Sequence, residues 1–430
     1  MDRTSGNASG AVALTGVNAM PAPTWSWLKM NDTAVEIPAG LTPAPAAVSV
    51  EPAPGSADVV SANADAFDDA LVAAGKRFAS RARASAPGDA RDHVALAAGE
   101  VDPMDVPALS RYQQGAVRVE EELSVEEAFE TGMGAEAYGY LRSIGERPCV
   151  LEVPSGASAQ VRVRVSGTPG TASVASVDVI ARRDSSLELT VALNGTGSEP
   201  GLIGAAMRVF AAAGSRVSIT TVQTADDAFI SLDDAGIFVD EGAHVEVSHT
   251  VLGAGRSYTG LAADLRGDAA RIDVDTSYLG AREQVRDFNY QIRHLGRRTT
   301  SSMDANGVLA GASKKVLRGT IDLMHGCTGS EGAERETVLL ADERVDNKTV
   351  PVILCDEDDV AGNHGATIGH VRPEQLFYLG CRGLSPEAAE ALFISAKLED
   401  AALNAPDDEV RANVIRLGET VIPGFGEEIA

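Results

Sequence analysis

The chain reads as a mainly β protein, with a right-handed parallel β-helix core flanked by N-terminal and C-terminal helical regions. Three observations lead there. Short segments alternate apolar with polar residues: Val161–Val165, Leu187–Leu189, Val217–Ile219, Val245–Val247, Ile272–Val274 and Ile321–Leu323. Alternation at period two marks strands with one buried face. Consecutive segments lie 26, 30, 28 and 27 residues apart, and the last gap of 49 is close to two such steps. Glycine or small polar residues precede several of them, as at Gly156, Ser185, Gly214 and Gly242, and no helical stretch intervenes. A repeat of this size without helices implies coils stacked as a solenoid. A β-sandwich, the rival fold, would show turn signals every 8 to 12 residues or so and no longer period.

Three regions follow from this pattern. Residues 1–145 read as an irregular arm and a mainly helical domain, 146–370 as the β-helix, and 371–430 as a helical domain. The arm is rich in Ala, Pro and Gly, and Trp25 and Trp27 are the side chains expected to pin it. Residues 62–84 carry Phe67, Leu71, Val72 and Phe78 near one helical face. Residues 124–143 read as a second helix, with Ser124 as cap, Glu126 and Glu127 in the first turn, and Phe129 and Tyr138–Leu141 as apolar contacts. Toward the C-terminus, Ser385-Pro386-Glu387 has N-cap, N1 and N2 chemistry. Ala389, Leu392, Phe393 and Ala396 then make one stripe. Pro406-Asp407-Asp408-Glu409 opens another helix, with Val410, Val414, Leu417 and Val421 inward and Pro423-Gly424 at its end. A solenoid needs its ends covered, and the two flanking regions are the candidates.

Composition narrows the function. With 36 basic and 62 acidic residues the formal charge is −26, which disfavours nucleic acid and anionic membranes as partners. Met1–Gly6 has no basic n-region ahead of an apolar stretch, and no run of 18 apolar residues occurs, so a cytoplasmic protein is expected. The four cysteines, Cys149, Cys327, Cys355 and Cys381, form no CxxC pair and fit reduced thiols. There is no GxxxxGK[ST], GxSxG or HExxH, so the chain is expected not to hydrolyse ATP and not to be an enzyme.

The candidate metal- or cofactor-binding residue is His364, in Ala361-Gly362-Asn363-His364-Gly365-Ala366-Thr367. Glycines beside an imidazole let a partner approach, and a neutral imidazole ligates borderline metals. Cys355 lies nine residues earlier, an offset that faces it away from His364 on a regular strand unless a turn intervenes. His294 reads as a structural strand histidine. His325 and Cys327 are two possible ligands, short of the four that close a zinc site. Asp356-Glu357-Asp358-Asp359 lacks EF-hand spacing and reads as a solvated turn. Cys381, at a helix end, reads as incidental.

Several separated motifs occur in one order: Asp287-Phe288-Asn289-Tyr290 with His294, Thr300-Ser301-Ser302, Arg318-Gly319-Thr320-Ile321, Leu339-Leu340, His364-Gly365-Ala366-Thr367, then Leu376-Phe377-Tyr378-Leu379 and Arg382-Gly383. Together with Trp25-Ser26-Trp27, this string resembles the SufB/SufD family of iron–sulfur cluster assembly scaffolds, and SufD more than SufB. The match covers about residues 280–395 and is architectural from 110 to 280. Many SufD chains carry Cys where this one has Gly362, and SufB-type chains carry Glu where this one has Gly365. The resemblance implies a scaffold that pairs with a SufB-like paralogue and binds a SufC-like ABC ATPase through residues 371–430. ATP-driven motion would support cluster assembly at the SufB–SufD interface. It implies that His364 helps hold a nascent iron–sulfur cluster there transiently, with none bound tightly by the isolated chain. Alternatives are a SufB-like homomeric scaffold, with a homodimer in place of the heteromer, and a β-helical carbohydrate-active enzyme, which would need paired carboxylates and aromatics along a groove.

Overall fold

The computed structural model describes residues 11–24, 26–56, 59–61, 63, 65–70, 129–145, 147–370, 373–422 and 424–429. The arm opens with an antiparallel pair, β1 (Val12–Val17) and β2 (Thr33–Ile37), followed by β3 (Thr42–Pro43) and β4 (Val48–Pro52). After α1 (Ala135–Ile144) the solenoid strands follow without an intervening helix. One sheet contains β6 (Ser158–Gly167), β8 (Ser186–Gly195), β10 (Arg216–Gln223), β12 (His244–Val251), β14 (Arg271–Gly280), β16 (Thr300–Leu309), β18 (Glu331–Leu340) and β20 (Ala361–His370), with β4 at its first edge. The other contains β7 (Thr171–Ala181), β9 (Gly201–Ala211), β11 (Phe229–Val239), β13 (Arg256–Leu265), β15 (Val285–His294), β17 (Lys314–Leu323) and β19 (Asp346–Cys355). There β3 and β5 (Cys149–Val153) pair with the two ends of β7. Neighbours from β6 to β20 and from β5 to β19 are parallel, so the fold is a parallel β-solenoid.

Register explains the repeat. Stacked residues such as Gln160 and Glu188 are 28 positions apart, and Arg335 and Asp304 are 31 apart. One inward ladder runs Val161, Leu189, Ile219, Val247, Val274, Met303, Glu334, His364. Through Met303 each of these packs in the aliphatic interior between the sheets. Five of the six alternating segments belong to this sheet. Ile321–Leu323 does not. It lies on β17 in the facing sheet, so the gap of 49 residues is not two steps of one ladder.

The flanks depart from expectation. Among described residues, 11–56 supply strands rather than an irregular arm, and β3, β4 and β5 cover the first coil. Trp25 is outside the described residues, and Trp27 is 69% exposed. Polar groups hold the arm to the solenoid. Asn18 donates to Asp287 Oδ1 at 2.7 Å, Gln291 donates to the Ala19 carbonyl at 2.8 Å, and Arg318 Nε donates to the Met30 carbonyl at 2.5 Å. Of the helix expected over 62–84, only residues 66–70 are described as helical, and Phe67 is buried against Phe129 and Phe238. Ser124, Glu126 and Glu127 also lie outside the described residues. The described helix starts at Ala135 after an irregular 129–134, with Gly134 as its cap. Leu14, Val35, Met133, Ala137 and Leu141 pack on the outer face of the β7–β13 sheet.

The C-terminal helices are α2 (Pro373–Cys381), α3 (Pro386–Leu403), α4 (Asp408–Val421) and α5 (Phe425–Ile429). Ser385 and Asp407 accept from Ala388 N at 3.2 Å and Val410 N at 2.9 Å, capping α3 and α4. Val410, Val414 and Leu417 are buried as their spacing predicts. The stripe on α3 is borne out in half: Ala389 is buried and Phe393 packs on the core, but Leu392 and Ala396 are exposed, while Ile394, Leu398, Ala401 and Ala402 pack on Val222, Leu252, Leu279 and Val308. These helices lie along the side of the β6–β20 sheet, not across the end of the solenoid. Arg164 fixes them through Asp407 at 2.9 Å and Glu409 at 2.7 Å, and Arg416 through Asp226 at 2.5 Å.

His294 is fully buried, with Nδ1 2.7 Å from Thr299 Oγ1 and Nε2 2.9 Å from Ser301 Oγ. It is structural. Burial lowers its imidazole from 6.5 to about 4. The unfolded chain therefore takes up this proton first, and stability is lost as pH falls from 6.5 toward 4. His294→Asn is expected to be less stable than wild type near neutrality, by a margin that shrinks toward pH 4; a margin that grows on acidification would contradict the assignment. Ile219→Ala, in the middle of the inward ladder, is expected to cost about 2–5 kcal/mol in chemical denaturation.

Candidate functional site at the open end of the solenoid

The two sheets end on β19 and β20, and neither strand has a neighbour beyond it among the described residues. Nearly every residue of β20 is exposed, Ile368 included, in contrast to the alternating burial of β18. The first coil is covered and the last is open. His364 sits in the middle of β20. Its register partner is Glu334, and its neighbour at the preceding inward position is Gly362. A Cβ on Gly362 would meet Ile353 Cγ2 at 3.0 Å and Leu323 Cδ1 at 3.6 Å, which places this face of β20 toward the solenoid interior. His364 therefore occupies the inward position of a coil that no described residue caps, and it is exposed.

The other sequence candidates are not brought to it as ligands. Cys355 ends β19, and residues 356–360 turn the chain before β20, so strand parity does not relate it to His364. By register with Leu323 it too holds an inward position, and its Sγ lies 3.3 Å from the Glu357 carbonyl. His325 and Cys327 point apart. His325 is 76% exposed and 3.8 Å from Glu357, whereas Cys327 is buried in the core, where burial pushes its thiol up to about 11. Glu357 accepts from Gly326 N at 2.8 Å and Asp358 N at 3.0 Å, so the acidic run is a hydrogen-bonded turn. Those backbone bonds, that from Gly326 foremost, hold its carboxyl below the usual range. Cys381 is exposed at the end of α2.

Beneath His364 lies a set of polar residues that sequence reading missed. Lys315 and Glu336 form an ion pair with both side chains buried. Tyr278 OH donates to Glu336 Oε1 at 2.8 Å, and Lys315 Nζ also reaches Thr349 Oγ1 at 3.1 Å. Burial pushes the Lys315 ammonium down, against the pull of Glu336. Glu334 is 5% exposed. Burial pushes its carboxyl up to about 7, Glu336 adds to the push, and Lys315 opposes it. Its carboxylate occupies the space over Gly319, where a Cβ would lie 2.3 Å from Oε1. The available signal was the alternation Gly332, Glu334, Glu336, Val338, Leu340, which puts two acids on the inward face of a strand.

A second cluster, His244, Glu246 and Asp273, has the donor atoms of a metal site on the outer face of β12 and β14. Asp273 is already saturated there. Its Oδ2 lies 2.7 Å from both His244 Nε2 and Arg271 Nε, and its Oδ1 accepts from Ser302 at 2.7 Å. The guanidinium occupies the position a cation would need.

Residues 163–397 match the family model described as "SUF system FeS cluster assembly, SufBD core domain". Among similar proteins, the iron–sulfur cluster assembly protein SufD of Bacillus subtilis is 31% identical over 156 residues, which is 36% of each chain. An iron–sulfur cluster assembly SufBD family protein of Mycobacterium leprae is 28% identical over 192 residues, covering 45% of this chain and 22% of that one. A SufBD family protein of Staphylococcus epidermidis is 24% identical over 185 residues, 43% of this chain and 40% of its own. The matched stretch thus spans well under half of each of these relatives. No helix among the described residues is long and apolar enough to cross a membrane. With the family model covering more than half its length and the parallel solenoid built from the matched residues, this chain belongs to the SufBD core family of iron–sulfur cluster assembly proteins.

Proposed function

We propose that the chain is a SufD-like scaffold subunit of a SUF assembly complex, which pairs with a SufB-like paralogue through its open last coil. The observation that carries this reading is the pair of uncovered edge strands, β19 and β20, with His364 in the middle of one. Exposed edges present unpaired N–H and C=O groups, so a second β-solenoid can continue the stack. The nascent iron–sulfur cluster is cargo at that joint. Clusters are held mostly by thiolates, with histidine as a substitute. One imidazole beside Gly362 cannot complete a cluster site, so the remaining ligands come from the paralogue. In this reading the chain itself is not a catalyst and works in the reducing cytoplasm, which suits its four free cysteines.

The C-terminal helices are the docking surface for a SufC-like ABC ATPase. Leu376, Phe377 and Tyr378 on α2 and Leu392 and Leu403 on α3 are exposed, with Phe377 at 74%. Such apolar exposure on one tail fits a protein contact. Because α4 is tied to the solenoid by Arg164 and Arg416, and α3 by Lys397, which donates to Asn306 at 3.0 Å, force on the tail passes into the coils that end at His364.

His364→Ala is expected to leave co-purification with the paralogue and ATPase intact while impairing cluster formation in cells that depend on this system. Full cluster formation in that strain would remove His364 from the mechanism. Phe377→Asp is expected to abolish ATPase co-purification and leave pairing through the solenoid unchanged; retained ATPase would move the docking surface elsewhere. Size-exclusion chromatography of the chain alone and with the paralogue separates the heteromer from a homodimer built on the same edges.

A further inference from the structure

We propose that Glu334 is a second metal-binding group, which joins His364 in holding ferrous iron at the open end of the solenoid. This rests on the reading of His364 as a cargo-handling residue. Three observations place the carboxylate in that role. It is carried one rung below His364 on the same inward face, because Glu334 and His364 are register partners on adjacent parallel strands. It is 95% buried, no described residue hydrogen-bonds or pairs with it, and its carboxylate keeps only a narrow opening to solvent. The adjacent ammonium, Lys315, is committed to Glu336 and Thr349. And the chain makes room for it: Gly319, on the facing strand, leaves the space that the carboxylate fills, where a Cβ would lie 2.3 Å from Oε1 and 2.7 Å from Oε2.

A buried carboxylate without a partner is costly, and an apolar residue of similar volume would be cheaper at a purely structural position. Such a group calls for an explanation. The ladder itself sharpens the point, since every rung below Glu334, from Val161 to Met303, is apolar. Adjacent rungs are about 4.8 Å apart at the backbone, and two bonds of about 2 Å span about 4 Å, so the rotatable Glu334 and His364 side chains must converge to share one ion. An imidazole with a carboxylate suits a first-row divalent ion such as Fe²⁺, whereas the thiolate that would favour a softer centre is absent at Gly362. The ion would enter from the uncovered mouth.

The test is an anaerobic titration of the full chain with Co²⁺, a visible-absorbing stand-in for Fe²⁺, followed by its ligand-field bands. Wild type is expected to bind one ion, and Glu334→Gln and His364→Ala are each expected to weaken binding about tenfold or more. Glu334→Asp keeps the charge but shortens the reach. It is expected to weaken binding as well, which covers the case of an unstable Gln variant; circular dichroism and melting curves verify folding. Wild-type affinity in folded Glu334→Gln overturns the proposal and leaves His364 standing. Wild-type affinity in His364→Ala with loss in Glu334→Gln retains the carboxylate but removes the imidazole, and with it the reading on which the proposal rests. No binding by wild type at millimolar Co²⁺ overturns the two-residue site.

Discussion

The stacking of like position upon like position constrains everything else in this molecule. Each inward side chain must pack between the equivalents one coil below and one coil above, so the interior is a set of ladders rather than a shuffled core. Aliphatic residues of similar size satisfy this from Val161 to Val274 with little adjustment. Nearer the open end the demand changes. Met303 gives way to Glu334 and then His364, and the neighbouring ladder brings in Glu336. The charge on Glu336 is tolerated because it is answered: Lys315 pairs with it, and Tyr278 and Thr349 occupy further positions on the same carboxylate. Removing one member of such a pair would leave an uncompensated buried charge, worth about 3–5 kcal/mol. The interior thus changes from aliphatic to charged toward its open end.

Much of the fold was legible because stacking repeats its instructions. The period and the alternation at Val161–Val165, Leu187–Leu189, Val217–Ile219, Val245–Val247 and Ile272–Val274 identify one sheet. They are blind to which sheet a strand joins, since both use the same alternation, and so Ile321–Leu323 was counted with the wrong ladder. The arm was misread for a different reason. Its strands are short, with prolines at Pro43 and Pro52, and they form because β6 and β7 offer edges to pair with. On α3, Leu392 fits a helical stripe, but the helix turns Ile394 and Leu398 to the sheet instead. Local periodicity named the helix without fixing which face packs.

The motif string has a similar division. Asp287, Asn289 and Gln291 alternate with Phe288, Tyr290 and Ile292, and the two sets do different jobs: the first grips the arm and the 132–133 turn, the second fills the core. Arg318 joins Asp287 at 2.6 Å, His294 is held by Thr299 and Ser301, and Gly319 leaves space for Glu334. Most of the residues that mark the family thus maintain the scaffold. His364 stands out in the sequence because it lies among glycines. The placement of Glu334 beneath it does not, because it depends on a register 30 residues long and on a glycine from the facing sheet.

The grip on the arm bears on how the chain is made. Asn18 closes on Asp287 across 269 residues of sequence, and the Met30 carbonyl on Arg318 across 288. During N-to-C synthesis the coils can grow one on another as they emerge, since each needs only its predecessor. The arm cannot dock at its far anchor until Arg318 has been made, because its docking residues do not yet exist. Until then the outer faces of β15 and β17 and the arm itself wait for each other, and nascent molecules stalled at that stage present surfaces open to chaperones or to misplaced pairing.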